Sequence, residues 1–438
     1  MPEKSPPEKS RFMLRITLLF IALFYLGVDL GYHHWTHDKP NERAIIHWDI
    51  ISYYAYLPAT FIYGDVTLDF LDNPPEGFIN DNKFWFYETE TGKRLIITSM
   101  GMAVMYAPGF FMAHALAPLF EQARDGYSMI YQFFLVFTTW IYVVLGFVIL
   151  RNLLMRYFSA RSTVWTLLAT ALGTGLFYYG THAAAMAHAP SFFLIILFLW
   201  LVDRWYTRQS ILNTLLTGAL LGFIALVRPS NILVIFILLL YRVRTWEGFW
   251  QRILFFLKKF HLVGLMIVGF ILVWMPQFLY WHAVTGQFIF YSYGPHGGNF
   301  YWGQPHILET LFSFKKGWFV YAPMMAFAMV GLVLIRKRIG DLFLPLVVLM
   351  LTMIYVQSSW WCWWFGGSFG MRAYVELTGL LAFPLAVSFE YILKKPKGWM
   401  KPVLMGLVVF FIFLQQFQTY QYKRNLIHYN GMNREVYW

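Results

Sequence analysis

The sequence has few charged residues and a single cysteine. Charged residues make up 13% of its 438 positions, whereas a soluble domain carries about 25%, and this excludes a soluble enzyme of two or three domains. With Cys362 as the only cysteine, no disulfide can form within the chain. The sequence also lacks a Walker A loop, a GxGxxG fingerprint and a GxSxG elbow, so nucleotide hydrolysis and serine esterase chemistry have no support.

Apolar residues dominate instead. Hydrophobic residues make up 59% of the chain, and the mean hydropathy is +0.52. Apolar runs of about 17 to 25 residues, separated by short polar loops, are typical of helical membrane proteins. The sequence therefore predicts an all-α integral membrane protein, one polytopic domain over 1–438, with about 11 transmembrane helices. The predicted spans are 12–32, 128–150, 163–181, 190–206, 211–227, 229–243, 261–281, 317–335, 342–358, 373–392 and 402–419.

The run 100–120 decides the orientation of the spans. If this run crossed the membrane, most basic clusters of the chain would face outward, against the positive-inside rule. It also contains Pro108, Gly109 and Pro118, which favour a broken or interfacial helix. We therefore expect it to lie at the outer interface, in a chain whose N-terminus is cytoplasmic.

This topology divides the polar segments between the two sides. The outer side would carry a periplasmic loop at 33–127 with juxtamembrane and interfacial helices, a second loop at 282–316 and the C-terminal tail at 420–438. The net charge of +12 suits an anionic membrane surface, and no nucleic-acid motif competes with that interpretation. The absence of an Asn-x-Ser/Thr sequon weakly favours a bacterial inner membrane.

The first outer loop contains a candidate general base. The stretch from His47 to Pro58 predicts a short amphipathic helix that Pro58 ends. Asp49 lies at its start, and Tyr53, one turn later, shares its face; Tyr54 follows. Asp49 is either a helix N-cap or a base at the membrane surface.

Outward cations near the ends of apolar runs are candidates for binding an anion. Each could instead be an anchor whose charge snorkels to the interface. The arginine guanidinium is a rigid fork that matches the geometry of phosphate. Arg228 and Arg372, which lie beside predicted spans, therefore rank above the lysines. His188, beside an outer turn, is a further candidate, with structural hydrogen bonding as the alternative. The cations are Lys93, Arg94, Arg228, Lys315, Lys316 and Arg372.

Three places in the chain resemble a known family. An acid in the first outer loop followed by tyrosines resembles the GT-C membrane glycosyltransferases. The run Trp360-Trp361-Cys362-Trp363-Trp364-Phe365-Gly366-Gly367-Ser368-Phe369-Gly370-Met371-Arg372 is similar to a Trp-rich, Gly-Gly, Gly-x-Arg segment of bacterial members. Thr285-Gly286-Gln287-Phe288, with 312–317 after it, is similar to a loop of theirs. The chain departs from the protein-mannosyl and aminoarabinose transferases, since Ala107-Pro108-Gly109 stands where they have Lys-Pro-Pro.

The resemblance implies an inverting glycosyltransferase at the outer face of the membrane. It would move a sugar from a polyprenyl-phosphate donor to a glycan, lipid or protein acceptor, with Asp49 as base. Tyr53, Tyr54, His188, Trp364, Gly366, Gly367 and the six cations would bind substrate. No metal site is expected. Among His33, His34 and His37, positions 33 and 37 would share a helical face, but no carboxylate falls at a recognised ligand spacing. A divalent cation and other cofactors have no support.

Two alternatives remain from the sequence. One is an O-antigen ligase or polymerase with a lipid-diphosphate donor, although such enzymes usually have their large polar loop late in the chain. The other is a lipid or sugar transporter, which would predict inverted repeats. No repeat is evident in the sequence.

Overall fold

The computed structural model describes residues 7–33, 45–73, 86–294, 297–394 and 398–438. Helices dominate the described chain, which confirms the predicted all-α membrane class. In chain order the helices are α1 (Glu8–Tyr32), α2 (Asp49–Tyr54), α3 (Tyr56–Phe61), α4 (Gly101–Leu116), α5 (Met129–Leu154), α6 (Ala160–Leu172), α7 (Leu176–Gly180), α8 (His188–Thr207), α9 (Ile211–Val227), α10 (Ile235–Leu240), α11 (Trp246–Lys258), α12 (Phe260–Thr285), α13 (Ile307–Phe312), α14 (Trp318–Tyr321), α15 (Met324–Arg338), α16 (Gly340–Ser358), α17 (Thr378–Lys394), α18 (Met400–Lys423) and α19 (Arg434–Tyr437).

Short 3-10 helices and one hairpin complete the described secondary structure. The 3-10 segments are Asp69–Asp72, Ala117–Phe120, Pro229–Val234 and Arg372–Leu377. Strands β1 (Phe86–Glu88) and β2 (Arg94–Ile96) pair antiparallel, with Tyr87 opposite Leu95. The sequence did not predict this hairpin, which lies in the first outer loop.

Eight helical segments of the described chain are long and apolar enough to cross a membrane. They are α1, α4 with the 3-10 turn after it, α5, α8, α12, α16, the segment Arg372–Lys394 that includes α17, and α18. Seven of the eight coincide with predicted spans, and the eighth is the run that we expected at the interface. The number of about 11 spans and the interfacial position of α4 therefore stay predictions.

Three of the predicted spans are interrupted. The run 163–181 contains α6 and α7 with Gly173 and Gly175 between them, and the run 317–335 contains α14 and α15 with Pro323 between them. The run 229–243 begins with a 3-10 turn at Pro229 before α10. Glycine and proline weaken or break a regular helix, and apolar composition alone does not reveal where they do so.

Helix α4 lies antiparallel beside the N-terminal half of α5. His114 Nδ1 is 2.7 Å from the Tyr131 hydroxyl, and Tyr142 donates to the Met105 carbonyl at 2.9 Å. Between these contacts, a Cβ on Gly109 would lie 2.6 Å from the Phe134 carbonyl oxygen. The close approach that Gly109 allows therefore holds α4 against α5.

The helix α9 crosses α12 at a similarly close distance. A Cβ on Gly218 would lie 2.0 Å from the Met266 carbonyl oxygen, and one on Gly269 would lie 2.4 Å from that of Leu215. Small residues at such crossings let the two backbones approach closely and gain dispersion contacts. In a membrane these contacts drive helix association, because lipid is as apolar as the helix surface. These contacts hold the first half of α9 against α12.

The start of the first outer loop folds into two helices. A single predicted helix ending at Pro58 is wrong, because α3 continues to Phe61 with Pro58 as its third residue. Proline is tolerated in a first helical turn, where its missing N–H costs no hydrogen bond. The Tyr56 hydroxyl donates to the Thr98 carbonyl at 2.7 Å, and this bond helps fix the helices to the bundle.

Ion pairs gather at the opposite end of α8 from His188. Asp203 accepts from Arg156 at 2.6 Å, from Arg242 at 3.0 Å and from the Tyr241 hydroxyl at 2.7 Å. These cations belong to the ends that the positive-inside rule assigns to the cytoplasm. The orientation itself stays a prediction.

Candidate active site

Asp49 begins α2, beside a residue with an unusual backbone. Trp48 has φ 48° and ψ −130°, a conformation that non-glycine residues rarely adopt and that costs free energy. Asp49 is half-buried, and its Oδ2 accepts a hydrogen bond from Arg372 Nη1 at 2.8 Å. The candidate base and the leading candidate cation are therefore an ion pair, joined across 323 residues of sequence.

Arg372 owes its position to the turn before it. Gly370 has φ +56°, and a Cβ there would lie 2.7 Å from Cβ of Tyr321. A side chain at position 370 would thus meet both a strained backbone and a steric clash. The 3-10 helix Arg372–Leu377 follows directly, so this glycine sets the point from which Arg372 reaches Asp49.

The same 3-10 helix presents a second charge that faces another arginine. Glu376 is fully buried, and its Oε1 accepts from Arg228 Nη1 at 2.5 Å. His188 Nδ1 lies 3.0 Å from the same oxygen. Arg228 comes from the end of α9 and His188 from the start of α8, so Glu376 holds three segments together at one end of the bundle.

Two tyrosines border these ion pairs. Burial raises the pKa of Tyr53, and the charge of Asp49 raises it further. Burial and Asp49 also raise the pKa of Tyr293 to about 12, although Arg228 and Arg372 act in the opposite direction. Both hydroxyls consequently keep their protons at neutral pH and can donate hydrogen bonds beside Asp49.

The segment that carries Tyr293 is attached to the Trp-rich segment through the backbone. Tyr301 donates its N–H to the Ser359 carbonyl at 2.6 Å, and Trp361 donates to Asn299 at 2.9 Å. Tyr293 also meets Trp360 edge to face, with ring centroids 6.2 Å apart. The second outer loop and the Trp-rich segment thus form one wall beside the ion pairs.

Two lysines add positive charge next to Arg372. Lys316 Nζ is buried and donates to the carbonyls of Ser368 and, at 2.6 Å, Tyr429. Burial, together with the nearby charges of Arg372 and Lys315, lowers the pKa of Lys316 to about 7. Lys315 Nζ sits 3.8 Å from the ring centroid of Trp364, a cation–π contact.

Other predicted site residues bind partners elsewhere. The Tyr54 hydroxyl donates to the Gly126 carbonyl at 2.5 Å, among the rings of Tyr106, Phe110 and Tyr127. Tyr54 therefore belongs to the packing of α2 against α4 and the turn before α5. None of these contacts joins Tyr54 to Asp49 or Arg372.

Lys93 and Arg94 lie in the β-hairpin. Lys93 Nζ donates to the Ala283 carbonyl at 2.7 Å, at the end of α12. Arg94 donates to Asp72 at 2.5 Å, and this hydrogen bond raises the pKa of Arg94. These contacts fix the hairpin and join neither residue to Asp49, Arg372 or Glu376.

The two adjacent glycines of the Trp-rich segment differ in their surroundings. A Cβ on Gly367 would lie 3.1 Å from the Tyr429 ring of the C-terminal tail, whereas one on Gly366, with φ +63°, would meet nothing within 4 Å. The tail thus covers Gly367, and Gly366 faces open space.

Of the histidines considered for a metal pair, the structure describes His33. His33 Nε2 lies 3.2 Å from the Thr181 carbonyl, and burial lowers the pKa of His33 to about 4. His34 and His37 lie outside the described residues. Within the part of the chain that the structure describes, no three His, Cys, Asp or Glu side chains gather as metal ligands.

Sequence reasoning missed two residues of the site. Glu376 had a usable signal, because an acid inside an apolar run is a functional hypothesis by default and it falls four residues after Arg372. Tyr293 had only its place in an aromatic loop. The sequence does not show that Glu376 lies beside Arg228 or that Tyr293 lies beside Asp49, because these residues are far apart in the chain.

The arrangement combines a proton acceptor with an excess of positive charge. Asp49 pairs with Arg372, and Glu376 pairs with Arg228. Lys316 interacts electrostatically with Arg372 and Lys315. Two carboxylates do not balance four cations, so the site has a net positive charge that would attract an anionic ligand. A partly exposed carboxylate such as Asp49 can take a proton from a reacting group beside that ligand.

The fold has known counterparts among membrane enzymes. Three solved structures of the oligosaccharyltransferase of Archaeoglobus fulgidus are similar to this chain. One contains an inhibitory peptide and a dolichol-phosphate (10% identity, 98% of this chain and 57% of that one, TM-score 0.49), and one is the apo form (12%, 96% and 57%, 0.48). The third is tethered to an acceptor peptide containing the NVT sequon (12%, 97% and 56%, 0.50).

The likeness with a TM-score of 0.50 bears on the fold alone. The structure with the tethered peptide supports a shared membrane fold, as the resemblance to GT-C glycosyltransferases implied. The chain spans a little over half the length of these solved structures. No protein-family model and no curated protein matches the chain.

Proposed function

We propose that the protein is an inverting glycosyltransferase that uses a polyprenyl-phosphate-linked sugar. The observation that carries the proposal is the partly exposed ion pair of Asp49 with Arg372. Further cations lie around this pair at the ends of apolar helices. The shared fold with an oligosaccharyltransferase supports it. The donor, the acceptor and the periplasmic position of the site belong to the proposal.

The proposed reaction is a single displacement. Asp49 takes the proton of an acceptor hydroxyl, and the acceptor oxygen forms a bond to the anomeric carbon. The bond between that carbon and the phosphate oxygen breaks, and its electron pair stays on the phosphate. Arg372 and Lys316 stabilise the charge that develops there, because fixed cations in a partly dry site do so better than water.

The test is incubation of the purified protein with lipid-linked sugars. We expect release of free polyprenyl phosphate from a polyprenyl-phosphate donor, together with a glycosylated acceptor of inverted anomeric configuration. Release of the lipid diphosphate from a diphosphate donor instead would favour a ligase or polymerase. Absence of release with every donor, combined with uptake of the lipid into the opposite leaflet, would favour a transporter.

Donor binding should depend on the protonation of Lys316. An anionic ligand prefers the charged ammonium, and the charged fraction falls as pH rises through the Lys316 pKa of about 7. The phosphodiester of the donor keeps one negative charge over this range. We expect the donor KM to rise about fivefold between pH 6 and pH 8.5, the size of a single charge interaction in a partly screened site.

The Lys316→Arg variant provides the control. Arginine keeps its charge over the whole range, so its KM should change less with pH than that of the wild type. This comparison removes the contribution of the other titratable groups, which both proteins share. Parallel KM profiles for the two proteins would contradict a role for Lys316 in donor binding.

A further inference from the structure

The two arginines of the site are held in different ways. Arg228 is 16% exposed and pairs with Glu376, which is 0% exposed. Arg372 and Asp49 are 18% and 23% exposed. Arg372 Nε is also buried without a hydrogen-bond partner among the described residues, so this guanidinium has an unused donor.

These differences predict which ion pair can exchange partners. Separating Arg228 from Glu376 would leave a fully buried carboxylate without its main counter-charge, at a high cost in free energy. His188, on the same oxygen, fixes that carboxylate further. Asp49 is accessible to solvent when its partner leaves, and phosphate offers a guanidinium two oxygens in a bidentate geometry.

We infer that a lipid phosphate draws Arg372 away from Asp49 and thereby frees the base, so that donor binding switches on the deprotonation of the acceptor. While Arg372 Nη1 donates to Oδ2, that oxygen is occupied. Once phosphate holds Arg372, Oδ2 can take the acceptor proton. The inference rests on the proposed function and adds an order of events to it.

The inference gives Asp49 two opposite effects that a simple base would not have. Asp49 competes with phosphate for Arg372, so its removal should strengthen the binding of a lipid phosphate while it abolishes transfer. The probe is undecaprenyl phosphate, which carries no sugar and measures binding alone. We expect Asp49→Asn to lower the Kd for undecaprenyl phosphate about tenfold. Without its carboxylate partner, the partly buried charge of Arg372 is uncompensated and binds an anion more tightly.

Two further variants identify the cause of any change. In the Arg372→Gln background, Asp49→Asn should leave the Kd unchanged, since a double-mutant cycle reveals coupling only between residues that interact. The matched control is Asp341→Asn: Asp341 is also 23% exposed and pairs with an arginine, Arg244, at 2.7 Å. This control should bind undecaprenyl phosphate as the wild type does.

The outcomes separate the inference from the proposed function. If wild-type protein transfers sugar but Asp49→Asn binds the probe no more tightly, the exchange is wrong and the glycosyltransferase proposal stands. If wild-type protein transfers nothing from any lipid-linked donor and does not bind the probe, both are wrong. Should Asp49→Asn not fold, infrared spectra of the wild type replace it: addition of the probe must shift a carboxylate stretching band, and an unchanged band overturns the exchange.

Discussion

Replacement of Asp49 by asparagine is expected to slow sugar transfer by about a thousandfold, within the range that a general base contributes. Asparagine has nearly the same shape, and its amide oxygen can still accept the hydrogen bond from Arg372 Nη1. It cannot take up a proton from the acceptor. The loss should therefore appear in kcat, because the binding groups around the site remain.

The measurement is the initial rate of polyprenyl phosphate release at saturating donor and acceptor. Asp341→Asn is the control, since the Asp341 carboxylate is as exposed as that of Asp49 and also pairs with an arginine, at the start of another helix. Its rate should equal that of the wild type. A folded Asp49→Asn protein that transfers sugar at close to the wild-type rate would exclude Asp49 as the base.

The sequence predicted the parts of this site whose signals are local. Asp49 begins a short helix after the first apolar run, and Arg228 and Arg372 stand at the ends of apolar runs. A charge at such a place is visible in hydropathy alone, because the bilayer excludes it from the run itself. The same reasoning gave the all-α membrane fold, which the structure confirms.

The parts that the sequence did not predict depend on tertiary contacts. Tyr53 and Tyr54 are neighbours in one helix, yet Tyr54 turns to Gly126 and Tyr53 to the ion pairs. Lys93 and Arg94 resemble the other outer cations in sequence but fix the hairpin through Ala283 and Asp72. Successive side chains point in different directions, and only the position of the partner decides which one reaches the site.

Tertiary structure also decides which carboxylate each of the two arginines pairs with. Arg372 and Glu376 lie four residues apart, a spacing that in a helix would let them pair with each other. The 3-10 helix that contains them instead directs each to a different partner. The cation side of the site was therefore predictable from the sequence, whereas the counter-charges that distinguish a fixed arginine from an exchangeable one were not.

Glu376→Gln is expected to destabilise the protein by about 3 kcal/mol, the lower end of the cost of breaking a buried ion pair by removing one partner. Glutamine keeps the volume and one acceptor oxygen but leaves the guanidinium of Arg228, 16% exposed, without its counter-charge. His188 Nδ1 also loses a charged acceptor. Since α8, α9 and the segment after Arg372 meet at this carboxylate, the loss should loosen the whole end of the bundle.

The second replacement Arg228→Gln tests this explanation. In the double variant no charge is left uncompensated, so its apparent melting temperature should lie above that of Glu376→Gln alone, in the same detergent. Glu309→Gln serves as control, because Glu309 is 49% exposed and lies 3.8 Å from His306, and surface pairs contribute little. A double variant that melts below both single variants would show that Glu376 stabilises the bundle by something other than the charge of Arg228.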